Sequence, residues 1–195
     1  EDRLNPLTPR GAVALLLLAV LPQFAAASLP GSGWPPLVFV SRRAIAGYPD
    51  LVPGLGPYAR AATPGGRLMV REAGGTIREL LEPGRLFDVS DPSVSWDGRQ
   101  IVFSATSSPD SGWRLWLVGA DGRGLRALTR GNRAADLSNF GAAGKRLERY
   151  DDLDPCWLPD GRVAFASTRW PMIAQVGGLA VTNLWVVNDD GTGLM

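Results

Sequence analysis

Histidine is absent from this 195-residue chain, and cysteine occurs once. Without His the commonest general base and the commonest metal ligand are both missing. No Ser-His-Asp or Cys-His nucleophile can be assembled, and neither can a His-ligated zinc or haem. The lone Cys156 rules out an internal disulfide. Lysine is scarce, like charges do not cluster, and the formal net charge is +1. That balance does not describe a nucleic-acid surface, so nucleic acid is not expected as a partner. A hydrophobic fraction of 45% is ordinary for a globular protein. What the chain does hold in quantity is 24 Gly and seven Trp, a composition of short strands and tight turns.

The longest apolar run, Gly11 to Leu21, stops at Pro22. A membrane-spanning helix needs about 20 apolar residues, so this run is too short to anchor the chain. Arg3 and Arg10 precede it, and Pro22-Gln23-Phe24-Ala25-Ala26-Ala27 follows. This is the layout of a secretory signal peptide over residues 1–27, cleaved after Ala27. No Cys stands near the cleavage site and no Arg pair precedes the run, so the general secretory route is expected. Residues 28–36 read as a linker, and no stable membrane span is expected after cleavage. The chain starts at Glu1 rather than Met, which suggests an incomplete copy of its gene product.

A unit then occurs twice. One copy runs Asp91-Pro92-Ser93-Val94-Ser95-Trp96-Asp97-Gly98-Arg99, followed by Ile101-Val102-Phe103. The other runs Asp154-Pro155-Cys156-Trp157-Leu158-Pro159-Asp160-Gly161-Arg162, followed by Val163-Ala164-Phe165. Their second halves also match, Leu115 to Gly122 against Leu184 to Gly191. Asp-Gly suits the positive φ angles of a two-residue hairpin turn. Consecutive apolar residues such as Ile101, Val102 and Phe103 mark a strand buried on both faces. The second unit therefore predicts strands over Ser93–Trp96, Gln100–Ala105, Trp113–Val118 and Leu125–Thr129. The third repeats this, with a longer loop from Arg169 to Thr182, and reaches Met195 where its fourth strand should begin. Earlier, Leu37 to Val40 predicts a strand, and Gly74-Gly75 joins Arg67–Val70 to Thr76–Leu81 as a hairpin. This first section matches the repeat only loosely. Between the second and third units, Ala142 to Tyr150 predicts one or two helical turns. Repeated four-stranded sheets buried on both faces predict an all-β fold, a β-propeller of four-stranded antiparallel blades. About three blades are present over residues 37–195, so the ring is incomplete and the chain reads as the N-terminal part of a longer protein. An open edge of this kind is expected to favour association.

The pattern Pro-x-x-x-x-Asp-Gly-Arg, apolar strand, then Leu184-Trp185-Val186-Val187-Asn188-Asp189-Asp190-Gly191 resembles the WD40-like repeat of TolB-type propellers. A narrower resemblance rests most on Tyr150 to Arg162, with Leu37 to Val40, Asp91 to Gly98, Phe165 to Arg169 and Thr182 to Leu184. Those residues are similar to the propeller domain of proteins related to the hydrazine synthase alpha subunit. The resemblance implies the fold and a secreted, periplasmic location. Family chemistry depends on c-type haems bound by Cys-x-x-Cys-His, a motif this chain lacks, so no haem or other cofactor ligand carries over to any position.

Several residues invite a functional reading. Asp151, Asp152 and Asp154 form an acidic cluster of the oxygen-ligand type that holds calcium. A turn cap at Asp154 before Pro155, with Asp151 and Asp152 solvated, accounts for the same residues, and no metal is assigned. Asn188-Asp189-Asp190-Gly191 echoes the start of a calcium loop, but a hairpin turn explains it. Cys156, next to Trp157, is expected to be buried and inert. Trp96, Trp116, Trp157 and Trp185 are expected to pack between blades. Trp113 and Trp170 flank loops, where core or rim packing is expected over stacking on a ligand. No catalytic, cofactor or metal residue is assigned.

The expected function is a secreted or periplasmic propeller that binds or scaffolds an unidentified protein or small ligand. The loops Gly47 to Gly66, Ser104 to Gly112 and Arg169 to Thr182 are the expected surfaces. Two alternatives remain open: a structural subunit of a multihaem redox complex, with haem motifs outside this chain, and the propeller of a serine peptidase. The second requires a Gly-x-Ser-x-Gly elbow, and these residues contain none.

Overall fold

A computed structural model describes residues 34–43, 62–131, 133–175, 178 and 180–195. All fall in the second of two compact units of the chain, Gly31–Met195. The expected signal peptide, most of the linker and the loop from Gly47 as far as Ala61 lie outside the described residues. Among the described residues no helix is long and apolar enough to cross a membrane.

Three antiparallel sheets follow one another along the chain. The first holds β1 (Leu37–Ser41), β2 (Arg67–Arg71) and β3 (Ile77–Glu79) in that order. The second holds β4 (Asp88–Val94), β5 (Gln100–Thr106), β6 (Arg114–Gly119) and β7 (Arg126–Ala127), again in chain order. The third holds β8 (Asp152–Trp157), β9 (Val163–Ser167) and β10 (Asn183–Val187). Met195 exchanges two backbone hydrogen bonds with Val186, of 2.8 and 3.0 Å, on the open side of β10. The expected helical turns are present, as a 3₁₀ segment over Ser138–Ala143 and a short helix α1 over Gly144–Leu147.

Hairpin chemistry repeats from sheet to sheet. Gly98 N donates to Ser95 O and Gly161 N to Leu158 O, at 2.8 and 3.0 Å. Gly122 N donates to Gly119 O at 2.8 Å and Gly191 N to Asn188 O at 2.9 Å. The loops at Gly122, Gly161 and Gly191 have three residues and the loop at Gly98 has four, closed by Ser95 N donating to Gln100 O, and in each only the Gly is left-handed (φ from 71 to 86°), rather than both residues of a two-residue turn. The Asp of each pair stays out of that region because its carboxylate folds back. Oδ1 of Asp97, Asp121, Asp160 and Asp190 accepts the N–H two residues on, at 2.8 to 3.1 Å.

The same turn identifies the first sheet. Gly75 N donates to Glu72 O and Glu72 N to Thr76 O, both at 2.8 Å, as at Gly122 and Gly191. Leu68 of β2 therefore stands where Leu115 and Leu184 stand, and β1 to β3 are the second to fourth strands of a blade. The loose match in sequence reflects this offset, since the first sheet shows no innermost strand among the described residues.

Side-chain alternation assigns the faces. Ile101, Phe103 and Ala105 of β5 join Leu68, Leu80, Leu81, Leu86, Val89 and Val118 in one buried cluster, facing the first sheet. Val102, Leu115 and Leu117 point the other way and join Trp157, Val163, Phe165 and Val187 of the third sheet. The second sheet is thus buried on both faces, as its apolar run predicts. Antiparallel sheets repeated along the chain and stacked face to face are the blades of a β-propeller. Leu184 holds the register position of Leu115, yet it is 86% exposed where Leu115 is buried.

Two expectations fail here. Trp96 does not pack between blades: it is 76% exposed. Cys156 is exposed, not buried. The second follows from an irregularity in the inner strand described below, and the first from the place of Trp96 in a hairpin beyond the end of the sheet. Trp116, Trp157 and Trp185 do pack against the clusters, and Trp113 is fully in the core. Trp170 is exposed.

Phe103 and Phe165 lie in separate clusters, and truncation of either to Ala should cost about 3–5 kcal/mol in urea unfolding. The double variant should lose the sum to within about 0.5 kcal/mol, because the two share no partners. Strong non-additivity would contradict independent blade interfaces.

Candidate functional site

The innermost strands, β4 and β8, carry the same carboxylate pattern, Asp88-x-x-Asp91-Pro92 and Asp151-x-x-Asp154-Pro155. In each, the Asp before Pro is left-handed, with φ of 51° at Asp91 and 50° at Asp154. Few residues other than Gly accept this conformation, and Asp is one of them. Each strand also gains one residue against its partner there. Ser90 pairs with Ser104 and Ser93 with Val102, while Leu153 pairs with Ala166 and Cys156 with Ala164. These are one-residue β-bulges. The extra residue reverses which side chains face inward, so Cys156 turns to solvent and Trp157 to the core.

The first carboxylate of each motif latches its strand to the preceding blade. Asp88 is fully buried and pairs with the guanidinium of Arg42, just past β1, through Nε at 2.9 Å and Nη2 at 2.5 Å. It also accepts the N–H groups of Thr63 at 2.8 Å and Val89 at 2.9 Å. Asp151, equally buried, accepts the Trp113 N–H from the second blade at 3.0 Å, and Asp152 N donates back to Trp113 O at 3.0 Å. A buried charge is tolerable only with such a complement of donors. The close approach depends on Gly66, where a Cβ would stand 2.1 Å from Asp88 Oδ1.

Within the third blade, Asp152 accepts Ser167 Oγ at 2.6 Å and pairs with Arg169 through Nη2 at 2.8 Å. Arg169 also lies over the rings of Tyr150, Trp185 and Phe165, at 5.1, 5.5 and 5.9 Å to the centroids. Asp151 and Asp152 are therefore buried structural anions, not solvated ones. Asp154 is exposed and sits in a bulge rather than capping a turn. Among the described residues, no group of three or more Asp, Glu, Cys or His side chains is placed to hold a metal ion.

The second carboxylates of the two motifs meet. Asp91 and Asp154 lie close enough for the charge of one to act on the other. Burial pushes the Asp91 carboxyl up to about 6, and the Asp154 charge adds to this. The Ser90 hydroxyl, 2.8 Å away, and the Arg42 charge oppose the rise.

At the opposite end of the blades the first hairpins of the second and third sheets flank an open groove of about 390 Å³. Trp96 and Pro159 sit at equivalent places in the two turns, and Trp157, Arg99, Gln100 and Asp189 complete the lining. Trp96 Nε1 donates to Trp157 O at 3.3 Å, which fixes the indole across the blade junction. The loops expected to carry recognition, Ser104 to Gly112 and Arg169 to Thr182, lie at the other end. There, Thr106 and Ser108 hold the first of them compact through bonds to Ser111.

Asp88 and the groove were missed in the sequence. The signal for Asp88 was available, since extending the repeat three residues upstream of Asp91 and Asp154 reaches Asp88 and Asp151.

No family model matches the sequence, and no curated protein matches it significantly. Among solved structures, the putative TolB from Agrobacterium tumefaciens is similar at 21% identity and TM-score 0.46, over 67% of this chain and 40% of that one. A puromycin hydrolase is similar at 22% identity and TM-score 0.47, over 67% of this chain and 18% of that one. Kuenenia stuttgartiensis hydrazine synthase is similar at 17% identity and TM-score 0.33, over 67% and 28%. The chain spans two fifths or less of each of these structures. The bladed architecture stands on the chain's own repeated sheets.

Two predictions arise at the inner strands. Removing Asp88 takes from Arg42 its buried carboxylate partner and from Thr63 and Val89 an acceptor for their N–H groups, so Asp88→Ala should cost about 3–5 kcal/mol in urea unfolding. Gly66→Ala displaces the same carboxylate and also crowds the Val89 backbone N, 2.8 Å from the added Cβ, so on top of Asp88→Ala it should cost less than it does alone but not nothing. A cost for Gly66→Ala that is the same with and without Asp88 would dissociate its contact with the carboxylate from the latch. The Asp91 carboxyl binds its proton more tightly in the folded chain, at about 6, than at its ordinary 3.8. Its contribution to stability is therefore complete at low pH and is lost as pH rises from about 4 to about 6. Asp91→Asn is neutral across this range of pH. The difference between the wild-type and Asp91→Asn unfolding curves should show that loss, with the variant the more stable at pH 7. A flat difference across the window would refute the raised Asp91 carboxyl.

Proposed function

We propose that this chain is a secreted, periplasmic propeller module whose work is binding rather than catalysis, and that the groove between the first hairpins of the second and third blades is its binding face. The observation that carries this reading is Trp96. A large aromatic ring stands 76% exposed, with its one polar atom tied to the neighbouring blade. Exposed aromatics held rigid at a concave junction are typical of recognition surfaces. The turn itself has no need of it, because Pro159 fills the same place in the next blade. The location rests on the sequence of residues 1–27, with its basic start, apolar run and Ala25-Ala26-Ala27 end.

Both halves can be tested on the full chain. Expressed in a bacterium with an intact secretory pathway, it should be recovered from the periplasmic fraction with Ser28 as its first residue. Retention in the cytoplasm with residues 1–27 attached would overturn the location. Soluble extract of the cell envelope should shift the tryptophan emission of the purified wild type, and Trp96→Ala should abolish the shift. An emission change that survives Trp96→Ala would move the binding face elsewhere.

A further inference from the structure

We propose that this groove takes an uncharged oligosaccharide, with one sugar ring stacked on the face of Trp96. The inference rests on the reading of the groove as a binding face and adds the class of ligand. Three features point to it.

The first is the platform. With Nε1 committed to Trp157 O, Trp96 offers a ligand only its flat apolar faces. The face of a pyranose ring presents axial C–H groups that cover such a surface, while its hydroxyls project sideways. The bond to Trp157 also pre-orders the indole, so little side-chain freedom is lost on stacking.

The second is the set of polar groups around that platform. Arg99, Gln100 and Asp189 line the groove. Arg99 keeps a guanidinium that is nearly all exposed, at 3.8 Å from Asp97. The Gln100 amide and the Asp189 carboxylate make no side-chain hydrogen bond among the described residues. Together they present donors and acceptors side by side on planar groups, which suits hydroxyls that both donate and accept.

The third is charge. Two cations, Arg99 in the lining and Arg126 bonded to Asp189 O at 2.6 Å, stand beside two anions, Asp97 and Asp189, and Asp97 is already engaged by Ser95 Oγ at 2.6 Å and Arg99 N at 3.0 Å. An anionic ligand would meet both carboxylates, and a cationic one would meet Arg99. Neither sign is favoured, whereas a neutral polyol is accommodated. A proline-rich peptide would seek paired exposed aromatics, and the second Trp of the groove, Trp157, is buried at 6% exposure.

The test is calorimetric and fluorimetric titration of the full chain with cellohexaose, chitohexaose, maltohexaose and xylohexaose. Polygalacturonate, chitosan and a proline-rich peptide serve as contrasts. At least one neutral hexasaccharide should bind with a shift in tryptophan emission. Trp96→Ala should weaken it about tenfold or more, the loss of one stacked ring, and Trp96→Phe should recover part of that loss. Gln100→Ala should weaken binding while leaving urea unfolding unchanged. Binding of none of the four neutral sugars would overturn the proposal, as would equal affinity in Trp96→Ala. A response to the peptide, polygalacturonate or chitosan alone, abolished by Trp96→Ala, would overturn the sugar but leave the groove as the binding face. The envelope-extract experiment reports on the groove itself and separates the two failures.

Discussion

Asp88 enters its strand as an ion with no access to water, and the second blade cannot be assembled without answering that charge. The answer comes from the first blade: two nitrogens of Arg42 and the N–H of Thr63 converge on the carboxylate. Apolar contacts between the sheets supply most of the free energy but are not directional. The ion pair and its hydrogen bonds have fixed lengths and angles, so a slip of one residue would strand both charges. Asp151 repeats the arrangement toward Trp113, whose N–H it accepts. Each junction is therefore set at the first residues of the inner strand, and the hydrophobic clusters fill in behind.

The bulge that follows transmits this register to the far end. With one residue gained at Asp91-Pro92, Ser93 reaches Trp157 N with its hydroxyl at 3.3 Å, and the hairpin beyond brings Trp96 over the Trp157 carbonyl. The same gain in β8 turns Trp157 inward to receive those contacts. Proline suits the position because a bulge leaves an N–H without a ladder partner, and Pro has none to lose. The latch at one end and the Trp96–Trp157 contact at the other are thus two consequences of one motif.

The readable part of the chain was the part that repeats locally. Hairpin glycines, the apolar run of β5 and the short helical segment all follow from neighbours within a few residues. The latch is not local: Arg42 lies 46 residues before Asp88 and outside the repeat. A bulge leaves no mark in a hydrophobic pattern beyond the shift it causes, so Cys156, read as a small buried hydrophobe, turns to solvent, while Trp157 beside it packs in the core as expected. For Trp96 the error was one of context. A Trp next to an Asp-Gly turn scores as core by composition, yet the turn carries it past the end of the sheet, where the neighbouring blade offers a carbonyl but no cover. Asp151 and Asp152 were misjudged for the opposite reason, since adjacent carboxylates read as solvent-facing unless their donors are known.

Comparison of the two first hairpins separates folding from function within the same turn. Both bring the glycine N–H onto the carbonyl three residues before it, and both use an Asp carboxylate to accept the N–H two residues on, although the loop at Trp96 is one residue longer. Proline at position 159 is the choice that folding alone would make, because its fixed φ suits the second residue of a type I turn. Tryptophan at position 96 adds nothing to the turn, buries little of its own area and leaves a large apolar ring in water. Its hydrogen bond to Trp157 O is a neutral contact at a partly exposed site, worth on the order of 1 kcal/mol. Replacing Pro by Trp at equal geometry gives up the entropy advantage of proline in the unfolded chain, which is of similar size. The two terms roughly cancel, so stability does not select the indole. What distinguishes position 96 is the surface it presents: a rigid aromatic face between Arg99, Gln100 and Asp189, at a junction whose geometry is already fixed from the other end of the strand.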